Sequence, residues 1–364
     1  MTSTDEPRAT YAGALDLVVH SREETMWTNR SLTATDYHTG GEPFRIVTDG
    51  APAVEGATVR DRRETARRSA EVDVVRRLLC HEPRGHADMY GCFLVPPDDD
   101  GANLGVLFWH KDGYSTACGH GTIALGVWAV ETGRVDAKPD GDSDVVLDVP
   151  SGRVTARVTC RGGDVERVAF RSVPSYVLAR GVPVATDRGT LAVDVSYGGA
   201  IYASVPAYDA GLAVASEHYT ALITLGREVK AALEGTELAR HPEDPRLSGI
   251  YGTILYDDLG EVETGIRQRN VTVFADGQVD RSPCGSGTAA RLALLAADDL
   301  VGSDRVLVHD SIVDTTFHGR VVGETTVGGR PAVVPEVEGM AYRTGEHRFV
   351  LDPRDSLGTG FVLR

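Results

Sequence analysis

Apolar residues along this chain fall into two patterns. Short runs dense in β-branched and aromatic residues, such as LGVLFW at 104–109 and VTVF at 271–274, read as strands. Runs with apolar residues at helical spacing follow Cys118 and Cys284, and another covers residues 217–233 (EHYTALITLGREVKAAL) with Gly235 just past its end. Strand-rich stretches come next, at 145–170 and 306–322.

These elements repeat. Residues 118–135 read CGHGTIALGVWAVETGRV and residues 284–301 read CGSGTAARLALLAADDLV, 166 positions apart. Both give Cys-Gly-x-Gly-Thr, an amphipathic helical pattern and a polar turn ending in valine, with a strand before and strands after. Two copies are too few for a solenoid, so the pattern predicts a duplicated α/β (α+β) chain with pseudo-two-fold symmetry. Each half is expected to curve a β structure round one central helix, with the active site in the cleft between halves. The expected division is an N-terminal extension (residues 1–30), a first domain (31–172 plus 345–364) and a second (173–344).

Composition narrows the function. Apolar residues make up 41% of the 364, enough for a sizeable core, and 41 glycines suit a β-rich chain with short connections. Net charge is 37 − 53 = −16, which argues against nucleic acid or an anionic membrane as partner. The first thirty residues are polar and lack an apolar signal-peptide core, and no run approaches a membrane span. Five widely spaced cysteines (80, 92, 118, 160 and 284) suit a reducing compartment better than a disulfide framework. The expectation is a soluble cytoplasmic protein, and a homodimer is compatible with it.

The repeated cysteine carries the chemistry. The first amides of a helix have no internal partner and sit at the positive end of its dipole. A thiol there is expected to have a lowered pKa and to act as a base. Adjacent glycines let a carboxylate reach the amides. Two such helix ends facing each other flank an α-carbon with a sulfur on either side, so that one thiolate removes the proton and the opposite thiol returns one. No metal or organic cofactor is needed. Cys80, Cys92 and Cys160, outside the repeat, read as small buried apolar residues.

Several motifs identify the chain as resembling the proline racemase family: Asp36-x-His38-Thr39-x-Gly41-Glu42-Pro43-x-Arg45-Ile46-Val47; Glu82-Pro83-Arg84-Gly85-His86-x-Asp88-Met89-Tyr90-Gly91; Cys118-Gly119-His120-Gly121-Thr122-Ile123; Tyr197-Gly198-Gly199; and Asp280-Arg281-Ser282-Pro283-Cys284-Gly285-Ser286-Gly287-Thr288. The resemblance covers residues from about 32 to the C-terminus and implies a fold of the diaminopimelate epimerase type. It implies that Cys118 and Cys284 are the acid/base pair and that Asp280 meets the substrate's ring nitrogen. His120 is implied beside the first thiol, and the amides of Gly119, His120, Gly285 and Ser286 around the carboxylate. His38, Thr39 and Glu42 read as mainly structural.

Within the family, a cysteine at 284 points to a hydroxyproline 2-epimerase or proline racemase. The context at 85–91, 108–115 and 250–254 points instead to the trans-3-hydroxy-L-proline dehydratases, which commonly carry threonine at the second position. The catalytic atom favours epimerisation, with dehydration the alternative. His110 and Tyr114 are expected to line the pocket and to favour a ring hydroxyl over plain proline.

Readings from other classes fit less well. His81, His86, His110 and His120, with Glu82 and Asp88, lack the spacing of a zinc site. The glycine-rich turns lack the lysine of a phosphate-binding loop. A non-catalytic amino-acid binder would need the amides but neither thiol.

Overall fold

The computed structural model describes residues 31–363, so the expected extension over residues 1–30 lies outside the described residues. In chain order the first half contains β1 (Ser31–Thr39), β2 (Glu42–Asp49), α1 (Val59–Arg68), α2 (Ala70–Cys80), β3 (Tyr90–Val95), β4 (Leu104–His110), β5 (Gly113–Tyr114), α3 (Gly119–Glu131), β6 (Gly141–Val149), β7 (Gly152–Arg161) and β8 (Asp164–Arg171). The second contains β9 (Tyr176–Thr186), β10 (Gly189–Tyr197), β11 (Ile201–Pro206), α4 (Tyr219–Leu233), β12 (Ile250–Val262), β13 (Gly265–Phe274), β14 (Gln278–Asp280), α5 (Gly285–Ala297), β15 (Val306–Ser311), β16 (Thr316–Val327) and β17 (Arg330–Gly339). A last strand, β18 (Ala341–Val350), returns to pair with β1.

The pairing order makes the duplication explicit. β18–β1–β2 is antiparallel, β2 runs parallel to β3, β3–β4 is antiparallel, β4 runs parallel to β6, and β6–β7–β8 is antiparallel. The same succession recurs as β9–β10–β11, β11 with β12, β12–β13, β13 with β15, and β15–β16–β17. The short β5 and β14 hang from β4 and β13 at equivalent places. β8 pairs antiparallel with β17 and joins the halves into one 18-stranded sheet.

Parallel neighbours need a crossover. The β11-to-β12 crossover carries α4, the helix expected over 217–233, preceded by a short 3-10 turn at Ser216–His218. The β2-to-β3 crossover carries α1 and α2. Both are capped by side-chain oxygens, α1 by a Thr58–Asp61 capping box and α2 by Ser69.

The two repeat helices are more enclosed than their amphipathic pattern predicts. Every residue of α3 from Gly119 to Ala129 is buried, and so is every residue of α5 from Gly285 to Leu295. The reason is geometric: strands surround each helix instead of meeting one face. Helix α3 packs on β1, β2, β6, β7, β8 and β18, and α5 packs on β9, β10, β11, β16 and β17. A helix enclosed in this way holds its N-terminus rigidly, which matters for what sits there. No helix among the described residues is long and apolar enough to cross a membrane.

Candidate active site

Each repeated cysteine immediately precedes its enclosed helix. Cys118 has extended backbone (φ −155°), and its Sγ accepts a hydrogen bond from Gly121 N at 3.2 Å, so the sulfur itself caps α3. Cys284 sits at φ 62°, a left-handed conformation that a side chain adopts only at an energetic cost of about 1–3 kcal/mol. The surrounding chain holds it there. Asn270 Nδ2 and Thr288 Oγ1 both donate to the Pro283 carbonyl at 3.1 Å, and Cys284 N donates to Ser282 Oγ at 3.1 Å.

The helix ends abut through glycine. A Cβ placed on Gly119 would stand 2.5 Å from Gly285 Cα, and one on Gly285 would stand 2.6 Å from Gly119 Cα. The amides of Gly119, His120, Gly285 and Ser286 precede the first intrahelical bonds, which run from Thr122 N to Cys118 O and from Thr288 N to Cys284 O. Two sets of helix N-terminal donors are thus concentrated in one place.

Both thiols, His120, Asp280 and Ser286 line a single pocket between the halves, together with Tyr90, Ala117, Tyr202, Tyr251 and Phe274. Its cavity is about 10 Å³, room for roughly one water. Nothing much larger than a water fits between the two sulfurs in this structure. Asp280 Oδ1 accepts from Ser282 N (2.8 Å) and Ser282 Oγ (2.6 Å), while Oδ2 faces His120 Nδ1 at 3.8 Å. The His120 ring also lies 3.5 Å from Cys118 Sγ through Nδ1.

The electrostatics differ from the expected lowering of the thiol pKa values. Burial pushes Cys118 well above the ordinary thiol range; the Gly121 amide opposes this, while Asp280 and the second thiol add to it. Cys284 is pushed up too, by burial first and Asp280 next, against the Gly287 amide. Desolvation outweighs the helix termini because the pocket is closed and its lining carries no lysine or arginine. Burial lowers His120, with Asp280 opposing, which favours the neutral ring.

The sequence profile described as proline racemase matches residues 34–362. The chain belongs to the proline racemase family. Over 338 residues it is 43% identical to a protein of Bacillus cereus named trans-3-hydroxy-L-proline dehydratase, covering 93% of this chain and all of the relative. Over 337 residues it is 45% identical to a 3-hydroxyproline 2-epimerase of Burkholderia multivorans, covering 92% of this chain and 99% of the relative. A hydroxyproline epimerase from Agrobacterium vitis, solved with bound trans-4-OH-L-proline, superposes with a TM-score of 0.85 at 30% identity, covering 93% of this chain and 97% of that one.

In this proline racemase family member, part of the Asp36–Val47 motif braces the site from below. Thr39 Oγ1 donates to the His120 carbonyl at 3.0 Å, and Glu42 Oε2 accepts from Arg281 N at 2.8 Å. Burial, reinforced by Asp280, raises Glu42 well above the usual carboxylate range. From the second motif Asp88 reaches across to the other half, accepting from Val279 N at 3.2 Å and pairing with Arg281 at 2.8 Å. His38 lies apart, packed on Tyr342.

His110 and Tyr114 do not reach the space between the thiols. They line a neighbouring cavity of about 450 Å³, with Arg63, Ser115 and Tyr251. His110 packs behind the aromatic wall instead, its ring 5.7 Å from Tyr90, 6.0 Å from Tyr251 and 5.8 Å from Phe274. The tyrosines of that wall are the residues that sequence reasoning missed. Tyr90-Gly91 and Tyr251-Gly252 lie at the start of the equivalent strands β3 and β12, as the first and second residues and the second and third, and this repeated dipeptide is the signal that would have paired them. No three His, Cys, Asp or Glu side chains among the described residues are grouped to hold a metal ion.

Proposed function

We propose that this enzyme inverts C2 of a hydroxylated proline through Cys118 and Cys284, without a cofactor. The single observation that carries the reading is that two thiols, each at the N-terminus of its own enclosed helix, line one pocket. The amides of Gly119, His120, Gly285 and Ser286 bind the carboxylate, and Asp280 receives the ring ammonium. One sulfur removes the C2 proton as thiolate while the other, as thiol, protonates the opposite face. The roles reverse for the other epimer. The helix ends stabilise the charge that builds up on the carboxylate as C2 becomes carbanionic. The relatives' names support a 3-hydroxyproline in particular.

Dehydration is the second reading, favoured by the relatives of 43–46% identity named trans-3-hydroxy-L-proline dehydratase. It needs one base to remove the C2 proton and loses the 3-hydroxyl as water, so the second thiol would be dispensable. Proton NMR of trans-3-hydroxy-L-proline, trans-4-hydroxy-L-proline and L-proline with the enzyme separates the two. Appearance of a C2 epimer is the expected result. A dehydrated imine without epimer, formed from the 3-hydroxy substrate alone, establishes the lyase reading instead.

The raised thiol pKa values give a second expectation. The free enzyme must lose a thiol proton to act, so kcat/KM climbs with pH across the neutral and alkaline range. The substrate's ring ammonium brings positive charge into a pocket without lysine or arginine and favours the thiolate. The rise in kcat therefore comes at lower pH than the rise in kcat/KM. A kcat/KM profile already flat from about pH 6 contradicts this, because ordinary thiols ionise well above that.

A further inference from the structure

The aromatic wall holds three hydroxyls in a chain. Tyr90 Oη is hydrogen-bonded to Ser115 Oγ and, at 2.9 Å, to Tyr251 Oη. Tyr90 and Tyr251 come from equivalent strands and meet across the pseudo-two-fold. Three hydroxyls carry three protons and their two links use two, so one O–H is left over, and it lies on Tyr251 when Ser115 donates to Tyr90 and Tyr90 to Tyr251. Neither end has a further partner among the described residues. Burial raises Tyr90 and Tyr251 well above the ordinary phenol range, so both remain neutral donors.

The position of this chain gives it a role that rests on the proposed function. With the carboxylate at the helix ends and the ring nitrogen at Asp280, the remaining lining for the substrate's ring carbons is Ala117, Tyr90, Tyr202, Tyr251 and Phe274, and the Tyr202 hydroxyl is already bonded to Ser286 Oγ at 2.7 Å. A ring hydroxyl would otherwise be buried against aromatic carbon, at a cost of roughly 1–3 kcal/mol for an unpaired hydroxyl. We infer that the Ser115–Tyr90–Tyr251 chain recognises the substrate's ring hydroxyl, with Tyr251 as the residue that bonds it. The substrate hydroxyl becomes the fourth member, accepting from Tyr251 when the chain runs outward from Ser115 and donating to it when the chain runs inward. Tyr251 also lines the larger outer cavity, so it stands where the ring enters and reads the hydroxyl there. His110, behind the rings, keeps the wall in place without meeting the ligand.

The test is binding to enzyme that does not turn over. Calorimetric titration of Cys118→Ser and of Cys118→Ser/Tyr251→Phe with trans-3-hydroxy-L-proline and with L-proline gives an affinity ratio for each protein. The phenylalanine variant is expected to lower the hydroxyproline-to-proline ratio at least tenfold. Ser115→Ala should lower it less, since two hydroxyls and one link still leave one O–H. An equal loss for both ligands, or no change, overturns the assignment. Absence of any Cα exchange by the wild-type enzyme in D₂O, with neither ligand bound, defeats the proposed function itself and the assignment with it.

Discussion

Serine in place of Cys284 abolishes inversion of C2, with kcat reduced by about 10³-fold or more, the upper range for loss of a general acid or base. Serine keeps the size of the side chain and its place at the helix end. Its hydroxyl, however, is a far weaker acid than a thiol, and the burial that raises the thiol would raise it too. The same holds for Cys118→Ser. The two variants differ in what survives. With Cys284 replaced, Cys118 keeps its Gly121 hydrogen bond and still removes the C2 proton from the epimer whose proton faces it. That epimer exchanges its Cα proton with solvent without inverting. With Cys118 replaced, exchange is confined to the opposite epimer. Chiral chromatography for inversion and proton NMR for exchange separate these outcomes. Undiminished inversion in either variant contradicts the two-thiol mechanism. Undiminished dehydration of trans-3-hydroxy-L-proline by Cys284→Ser means that the second thiol is not part of the chemistry.

Alanine at Gly285 is expected to be nearly as damaging although it removes nothing. The added methyl stands 2.6 Å from Gly119 Cα and 3.1 Å from His120 N, and backbone atoms cannot rotate away. Overpacking of this kind costs about 1–3 kcal/mol in stability. The catalytic effect is larger, because the clash is relieved only by moving apart the two helix ends whose amides hold the carboxylate. KM should rise and kcat fall together, lowering kcat/KM by at least 10²-fold, since small displacements at a reacting centre have effects of that order. Gly302→Ala is the control: nothing lies within 4 Å of its added Cβ and its backbone is not left-handed, so stability and kinetics should stay put. Wild-type kinetics in Gly285→Ala, checked beside its melting temperature, contradict the close apposition of the helices.

The duplication was legible because it is written in residues that carry chemistry and turn geometry together. Cys-Gly-x-Gly-Thr marks a helix start that tolerates no side-chain bulk, and both copies become helices with abutting glycines. The α4 crossover helix was legible from its apolar spacing. Of its counterpart, the α1–α2 pair, α1 was not legible, because its sequence VRDRRETARR is dominated by charge, whereas α2 buries Val72, Val75, Leu78 and Leu79 at helical spacing. The buried face of α1 is made of Val59, Ala66 and Arg63, whose guanidinium is held by the Tyr114 carbonyl. A buried arginine satisfied by a distant carbonyl leaves no local apolar signal.

At the site, the thiols, His120 and Asp280 were legible because they belong to contiguous motifs. The tyrosine wall was not read, because Tyr90, Tyr202 and Tyr251 lie in different strands and look like ordinary core aromatics one at a time. Its place just before the Cys118 motif suggests that His110 lines the pocket. In the fold, strand β4 sets its ring behind Tyr90 instead. Sequence shows the helix terminus beside each thiol but not the closure of the pocket around it, and in that closed pocket burial pushes both thiols up.

The central claim is that different sulfurs remove and return the C2 proton. Its most direct test is the hydrogen content at Cα during the first few per cent of reaction, with enzyme equilibrated in D₂O and protiated substrate. Because the returning thiol already carries deuterium from solvent, the account predicts an epimer that is fully deuterated at C2 while the remaining substrate is still protiated. Protium carried over into the early epimer would mean that one base serves both faces, and would contradict the account.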